Sequence, residues 1–407
     1  MSSVSLYVLL LVCLAMASGI VHKIQTQHHA LSSEHSKHLF GHASLRRQQL
    51  YRRKVGMQAS VGKLPLQEDD YLIVGTITVG TPPQSFNVEV DAFFDNELLL
   101  IGANATLSSV SKNIPKKNTY NASSSSTYVS VNGNVSTSYV TGHKAQDVLN
   151  IGSLSATIKS FVVADVVPFV LRYYAIDGVL GLSPRKKSYY NVSVVADELI
   201  DQLDQPLISI YSNSGGNGTG QVTLGAEDTD NCQSTWTYVP AIDYFRDSTP
   251  FRVHASSAEV TIGGQLTVVN LDSNVTFVPW FAFEAPFQAK DAFVNGTGAS
   301  YNASIGEYTI DCDTTKAPLI TLNLGGVGNS TDSTSRKLVL SGADYIRYWK
   351  RMNVCYLGVT FYFDDDLHRE FILGSQVLNN HCISFNYKER TVGFADSKTP
   401  KTDVTKA

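Results

Sequence analysis

The apolar residues of this 407-residue chain come in short bursts, not in long stripes. Tyr71 to Val79 (YLIVGTITV) and Phe86 to Val90 (FNVEV) are rich in β-branched and aromatic residues. Gly80-Thr81-Pro82-Pro83-Gln84 between them has the composition of a turn. Similar runs recur about every ten residues, separated by Gly, Asn or Ser, which is the spacing of an all-β sandwich or barrel. One segment has helical spacing instead: Val194 to Leu203 (VVADELIDQL) carries apolar residues three and four apart and predicts a single helix. No coiled coil, solenoid repeat or long low-complexity tract is present in the sequence.

The N-terminus changes the picture of where the chain works. Ser5 to Leu14 is an apolar core followed by Ala15-Met16-Ala17, the form of a secretory signal peptide over residues 1–17. No later run reaches the ~18 apolar residues of a membrane span, so no membrane anchor is expected. Loss of the signal removes Cys13 and leaves Cys232, Cys312, Cys355 and Cys382. An even number in an exported chain predicts two disulfides, with three pairings open at this point. Nine Asn-x-Ser/Thr sequons, at Asn104, Asn121, Asn134, Asn191, Asn217, Asn274, Asn295, Asn302 and Asn329, predict a glycosylated surface. The expected location is extracellular, with an endolysosomal lumen as the alternative.

Charge is divided unevenly. Ser18 to Gly56 holds seven Lys/Arg, six His and one acid, Glu34, whereas residues from 57 onward carry 25 Lys/Arg against 35 Asp/Glu. A basic arm could bind nucleic acid, but export argues against that partner. A propeptide over residues 18–65 that docks on an acidic body fits better. Its histidines would change its charge on acidification.

Several segments, in order, resemble the pepsin-like aspartic proteases (peptidase A1). Gly80-Thr81-Pro82-Pro83-Gln84-Ser85-Phe86 followed by Val88-Glu89-Val90-Asp91 is similar to the family's opening turn and first catalytic Asp. Ser123 to Tyr128 resembles its SSSTY loop, Tyr139-Val140-Thr141-Gly142 its flap, and Asp177 to Leu182 its DGILGL segment. Ile372-Leu373-Gly374, Cys382 and Val392 to Ala395 complete the series. The resemblance covers roughly residues 66–397. It implies an all-β, bilobal fold with a cleft between two β-lobes, residues 66–235 and 236–397, ahead of a tail at 398–407. It also implies the pairings Cys312–Cys355 and Cys232–Cys382. For the cleft it implies roles for Asp91 as a catalytic acid and for Tyr139 and Thr141 in the flap.

The chemistry of that family needs two carboxylates that face each other and share a proton, each on an Asp-Thr/Ser-Gly turn. In the first turn the acid is kept, but the next residues are Ala92 and Phe93. Counting back from Ala285-Pro286, Gly298-Ala299 and Glu307 to Cys312 places Phe277-Val278-Pro279-Trp280 where the second Asp-Thr-Gly-Thr belongs. Acid, hydroxyl and glycine are then all absent. Asp291-Ala292-Phe293 and Asn295-Gly296-Thr297-Gly298 superficially imitate a second site, but only a gap could promote them, and a helix or loop is the plainer reading. The flap is shortened as well: only four residues separate Gly142 from Asp147.

His254 and His368 lack partners at metal-ligand spacing, and Asp364-Asp365-Asp366 does not alternate as a Ca²⁺ loop would, so neither a metal nor another cofactor is expected. The expectation is a secreted, monomeric, glycosylated protease homologue that has lost peptide hydrolysis. Its partners would be a peptide or protein in the cleft and its own propeptide. The alternatives are an active endopeptidase with an atypical site, using Asp91 with Asp95, and an inert secreted glycoprotein.

Overall fold

The chain is described here by a computed structural model. The structure describes residues 61–69, 72–91, 96–107, 117–138, 140–168, 171, 174–183, 188–213, 219–242, 252–262, 265–277, 283–325, 336–349, 352–362, 370–374 and 380–399. The chain divides into a unit of residues 1–51 and a unit of residues 52–407, and every described residue falls in the second. The signal segment, the basic segment with Lys54, Asp364 to Asp366 and His368 lie outside the described residues.

The architecture is all-β, as the bursts of β-branched residues predict. The first half contributes β1 (Gly62–Asp69), β2 (Leu72–Val79), β3 (Gln84–Asp91), β4 (Leu98–Leu107), β5 (Val129–Ser136), β6 (Thr141–Ile151), β7 (Leu154–Val167), β8 (Gly178–Gly181), β9 (Leu207–Asn213) and β10 (Thr219–Leu224). The second half contributes β11 (Thr237–Ile242), β12 (Arg252–Ile262), β13 (Gln265–Phe277), β14 (Phe283–Pro286), β15 (Ser300–Asn302), β16 (Glu307–Ile310), β17 (Leu319–Leu324) and β18 (Arg336–Leu340). It continues with β19 (Ile346–Trp349), β20 (Val354–Leu357), β21 (Thr360–Tyr362), β22 (Glu370–Leu373), β23 (His381–Asn386) and β24 (Thr391–Asp396). The helix expected over Val194–Leu203 is α1, Val195–Ile200, followed by turns. It buries Val195, Ala196 and Leu199, the apolar stripe that the 3–4 spacing marks out.

The halves repeat one arrangement. In the first, β8 lies between β3, to which it is parallel, and β4, to which it is antiparallel, and β4 is parallel to β7. In the second, β22 lies parallel to β13 and antiparallel to β14, and β14 is parallel to β21. An antiparallel ladder β1–β10–β9–β23–β24–β11 then joins strands from both halves. Cys232–Cys382 staples this ladder to the chain leading into β11, and Cys312–Cys355 ties the end of β16 to β20. Both pairings are those the family resemblance implies. They close loops spanning 150 and 43 residues, which in the chain-entropy account stabilise by about 5 and about 4 kcal/mol.

Asp147 on β6 is the buried polar centre of the first half, at 1% exposure. Its carboxylate accepts from Tyr120 Oη at 2.6 Å, Thr127 Oγ1 at 2.5 Å and its neighbour's amide, Val148 N, at 2.8 Å. Burial alone pushes its carboxyl up, but hydrogen bonds from Thr127, Tyr120, Ser125 and Val148 outweigh burial and hold it below the ordinary range. In the second half Asp344 is fully buried in a capping box with Ser341, and there burial wins and raises its carboxyl.

The signs are therefore opposite. Asp147 contributes stability that is present above the unfolded carboxylate range near pH 3.8 and is lost as pH falls through its lowered folded value. Asp147→Ala should cost about 2–4 kcal/mol at pH 6, since it strands the Tyr120 and Thr127 hydroxyls. The deficit against the parent protein should narrow in the most acid melts. Thermal unfolding of both proteins between pH 2 and pH 7 measures this.

Candidate functional site

Asp91 closes β3. Along that strand Phe86, Val88 and Val90 are buried on one face, and Asp91 is buried on the other at 3% exposure. Its strand is fixed by β8: Asp91 stands opposite Gly181, and Leu182 N donates to the Asp91 carbonyl at 2.6 Å. The β8 strand enters this position at a crossing that only glycine permits, since a Cβ on Gly178 would lie 2.1 Å from the Leu99 carbonyl oxygen. Asp177, the acid of the DGVLGL segment, is a clamp: its carboxylate accepts from Asn87 N at 2.8 Å and from Asn118 N and Nδ2, both at 2.9 Å. Ala92, Phe93, Phe94 and Asp95 lie outside the described residues, and with them the alternative pairing of Asp91 with Asp95.

One buried carboxylate here was not singled out from the sequence. Glu97 lies just before β4, and its carbonyl accepts at 2.8 Å from the N–H of Gly181, the residue that stands opposite Asp91. Glu97 is 4% exposed, and its oxygens accept from Tyr190 N at 3.1 Å and Asn96 N at 3.3 Å. It is committed to backbone amides. The available signal was an acid immediately before the apolar run Leu98 to Ile101.

In the second half, β13 ends at Phe277. This residue is 1% exposed, pairs with Leu373 on β22, and sets its ring 5.6 Å from that of Phe394. Between Asp272 and Glu284 the chain carries no carboxylate. Val278, Pro279 and Trp280 lie outside the described residues. The two imitations of a second site fall in α2 (Lys290–Thr297): Asp291 is an exposed residue of its first turn, Phe293 is buried, and Gly298 caps its end with φ 70°.

The hairpin β5–β6 (Val129–Ser136 and Thr141–Ile151) carries the segment that resembles the flap. Its strands end at the pair Ser136↔Thr141, and Thr137 Oγ1 and Val140 tie the turn together. Thr141 is also paired with Val166, so β6 is stitched to β7 from its first residue to its last. At Gly142 the two strands are so close that a Cβ would meet the Val163 carbonyl oxygen at 2.2 Å. Tyr139 lies outside the described residues.

Asn104, Asn121, Asn134, Asn191 and Asn295 are exposed and Asn302 is half-buried, while Asn217, Asn329 and the Asn274 side chain lie outside the described residues. Among the described residues no group of three or more His, Cys, Asp or Glu could hold a metal ion, and no helix is long and apolar enough to cross a membrane.

Comparison with known proteins gives this geometry its context. The family model described as "Eukaryotic aspartyl protease" matches residues 71–397. Aspartic protease 1 of Caenorhabditis elegans is 28% identical over 345 residues, covering 80% of this chain and 82% of the relative. Gastricsin of Callithrix jacchus is 26% identical, covering 83% and 84%. Pepsin A of Rhinolophus ferrumequinum is 27% identical, covering 62% and 65%. With this match spanning most of its length, the chain belongs to the eukaryotic aspartyl protease family.

Proposed function

We propose that this protein is a secreted, glycosylated, pepsin-like aspartic-protease homologue that does not hydrolyse peptides and uses its cleft to bind a peptide or protein. The observation that supports this reading is the run from Ser273 to Phe283, which spans the end of β13 and contains no acid where the resemblance calls for the second one. Peptide hydrolysis in this family needs one carboxylate to take a proton from water while the other gives one to the substrate. Asp91 alone can orient a water but cannot supply both roles, and loss of one member of a catalytic unit costs many orders of magnitude in rate. Glu97 does not replace the missing group, because its oxygens are held by the Tyr190 and Asn96 amides. The stitching of β6 to β7 supports the same reading, since a hairpin held along its whole second strand is poorly suited to close over a substrate.

The purified mature protein should leave unfolded substrates uncut at pH 3–5. It should also bind statine-type transition-state mimics weakly, because their central hydroxyl would have a carboxylate on one side only; an unpaired buried hydroxyl costs about 1–3 kcal/mol. Statine-sensitive proteolysis that disappears in Asp91→Asn would overturn the proposal. A ligand for the cleft is sought by affinity capture on the mature protein, with Asp91→Asn expected to leave capture unchanged.

The basic segment is proposed to dock on the acidic body. A synthetic peptide of residues 20–56 should bind the mature protein at low ionic strength and weaken at least tenfold as salt rises from 50 to 500 mM. Calorimetric titration at the two salt concentrations measures this, and equal affinity would refute an electrostatic dock.

A further inference from the structure

We propose that the outer face of the small sheet β15–β16–β20–β19 is covered by the protein's own N-linked saccharide, attached at Asn302 and laid across the strands onto the Tyr356 ring. The inference rests on the proposed secretion and glycosylation, and it deepens them by assigning one glycan a seat on the fold.

The first observation is the sidedness of this sheet. Successive strand residues point to opposite sides, and residues paired across strands share a side. The register therefore sorts the sheet into two sets. Ile310, Cys355, Leu357, Ile346 and Tyr348 form one, and they lie in the main core or pack against it. Asn302, Glu307, Thr309, Tyr356, Val354 and Trp349 form the other, and none of them belongs to a hydrophobic core of the described residues. They are half-buried or exposed, and Trp349 reaches 39% exposure. The Trp349 and Tyr356 rings meet edge-on with centroids 6.5 Å apart. Two large rings side by side on an outward sheet face make an apolar patch of the kind that marks a contact site.

The second observation names the cover. Asn302, of the sequon Asn302-Ala303-Ser304, stands on that same outer face, directly opposite Glu307 of β16. Its Oδ1 accepts from Ser304 N at 3.0 Å and from Ser304 Oγ at 2.6 Å. The carbonyl side of the amide is thereby turned to the chain, and the Nδ2 side, where a sugar is joined, faces away from that turn. Thr309 is two residues beyond Glu307 and stands opposite Tyr356. Tyr356 is thus two strands across and two residues along from Asn302, about 12 Å at ordinary strand spacing and rise. The inner sugars of a glycan bridge that gap. A pyranose ring has a face of C–H groups that stacks on an aromatic ring, and the intervening Glu307 and Thr309 offer hydrogen-bonding oxygens to its hydroxyls. A protein partner would meet a branched polar saccharide rising from the same surface, so the saccharide is assigned as the occupant.

Glycopeptide mass spectrometry of the full-length secreted protein should find Asn302 occupied. A double-mutant cycle in thermal melting then tests the seat. Asn302→Gln should lower Tm by roughly 2 °C in the parent and should lower it no further in a Tyr356→Ser background. Tyr356→Phe keeps a ring and should keep the full Asn302→Gln effect. A second measurement needs no variant: peptide-N-glycosidase acting on the native protein should release the Asn302 glycan several-fold more slowly than the glycan at Asn121. Asn121 is the matched control, because its Oδ1 accepts from Ser123 N and Oγ in the same kind of turn. Unfolding should abolish the difference. Equal release rates from the native protein would overturn the inference, as would an Asn302→Gln effect that is the same with and without the Tyr356 ring. So would a dimer in solution that Trp349→Ser dissociates, since the face would then join two copies of the chain. An empty Asn302 beside other occupied sequons defeats the inference alone, whereas a protein with no occupied sequon defeats the proposed glycosylation as well.

Discussion

The position of Asp91 depends on a steric constraint two strands' width away from its own side chain. β8 can run between β3 and β4 only because Gly178 presents no Cβ to the Leu99 carbonyl. That crossing sets Gly181 opposite Asp91 and directs the Leu182 amide at the Asp91 carbonyl. In the second half the central strand sets Phe371 beside Val275 and Leu373 between Phe277 and Phe283. Both halves fill a close-packed core, so the arrangement persists while the residues that build it differ.

Core-facing and opposite-facing positions alternate along each strand, so a core can stay packed while the residues on the other face change. Two carboxylates held close together in a buried cleft repel and are poorly solvated, and they persist only where function demands them. Exchanging one for an apolar side chain removes that strain and leaves the strand pairing intact. On β13 the core-facing residues Val275 and Phe277 still pack at 0% and 1% exposure. Glu97 shows the reverse case in the first half. A buried acid is retained there because two backbone amides satisfy it, and it holds a loop where no proton needs to move.

Much of this was legible in the sequence. Alternation in β3, the helical stripe of α1 and the ordered motifs from Gly80 to Ala395 specify an all-β fold of this family, and the motifs carry both disulfides. The pairing of β6 to β7 was not legible, because which strand an edge joins depends on long-range register. The end of β13 was harder still. That Phe277 pairs with Leu373 was not visible, because which strand lies beside β13 is set by long-range register. The alternation of Val275, Thr276 and Phe277 held a hint, since two apolar residues flanking a hydroxyl suggest that both face inward.

The buried acids outside the site lead to a separate conclusion about acidity. Asp147 is held below the ordinary carboxylate range by the hydroxyls and the amide that outweigh its burial, and Asp396 is held below it by His381 first and by Arg336 as well, against the effect of its own burial. Asp344 and Asp197 are raised, in both cases chiefly by burial. The first pair lends stability that is lost only in strong acid, and the second pair lends stability that is gained as pH falls toward the unfolded carboxylate range. The two windows lie on opposite sides of the unfolded carboxylate value near 3.8, the raised pair acting above it and the lowered pair below it. Falling pH therefore acts on groups in both halves of the fold: Asp197 and Asp147 in the first, Asp344 and Asp396 in the second. Mild acid strengthens the contribution of the raised pair, and only strong acid removes that of the lowered pair.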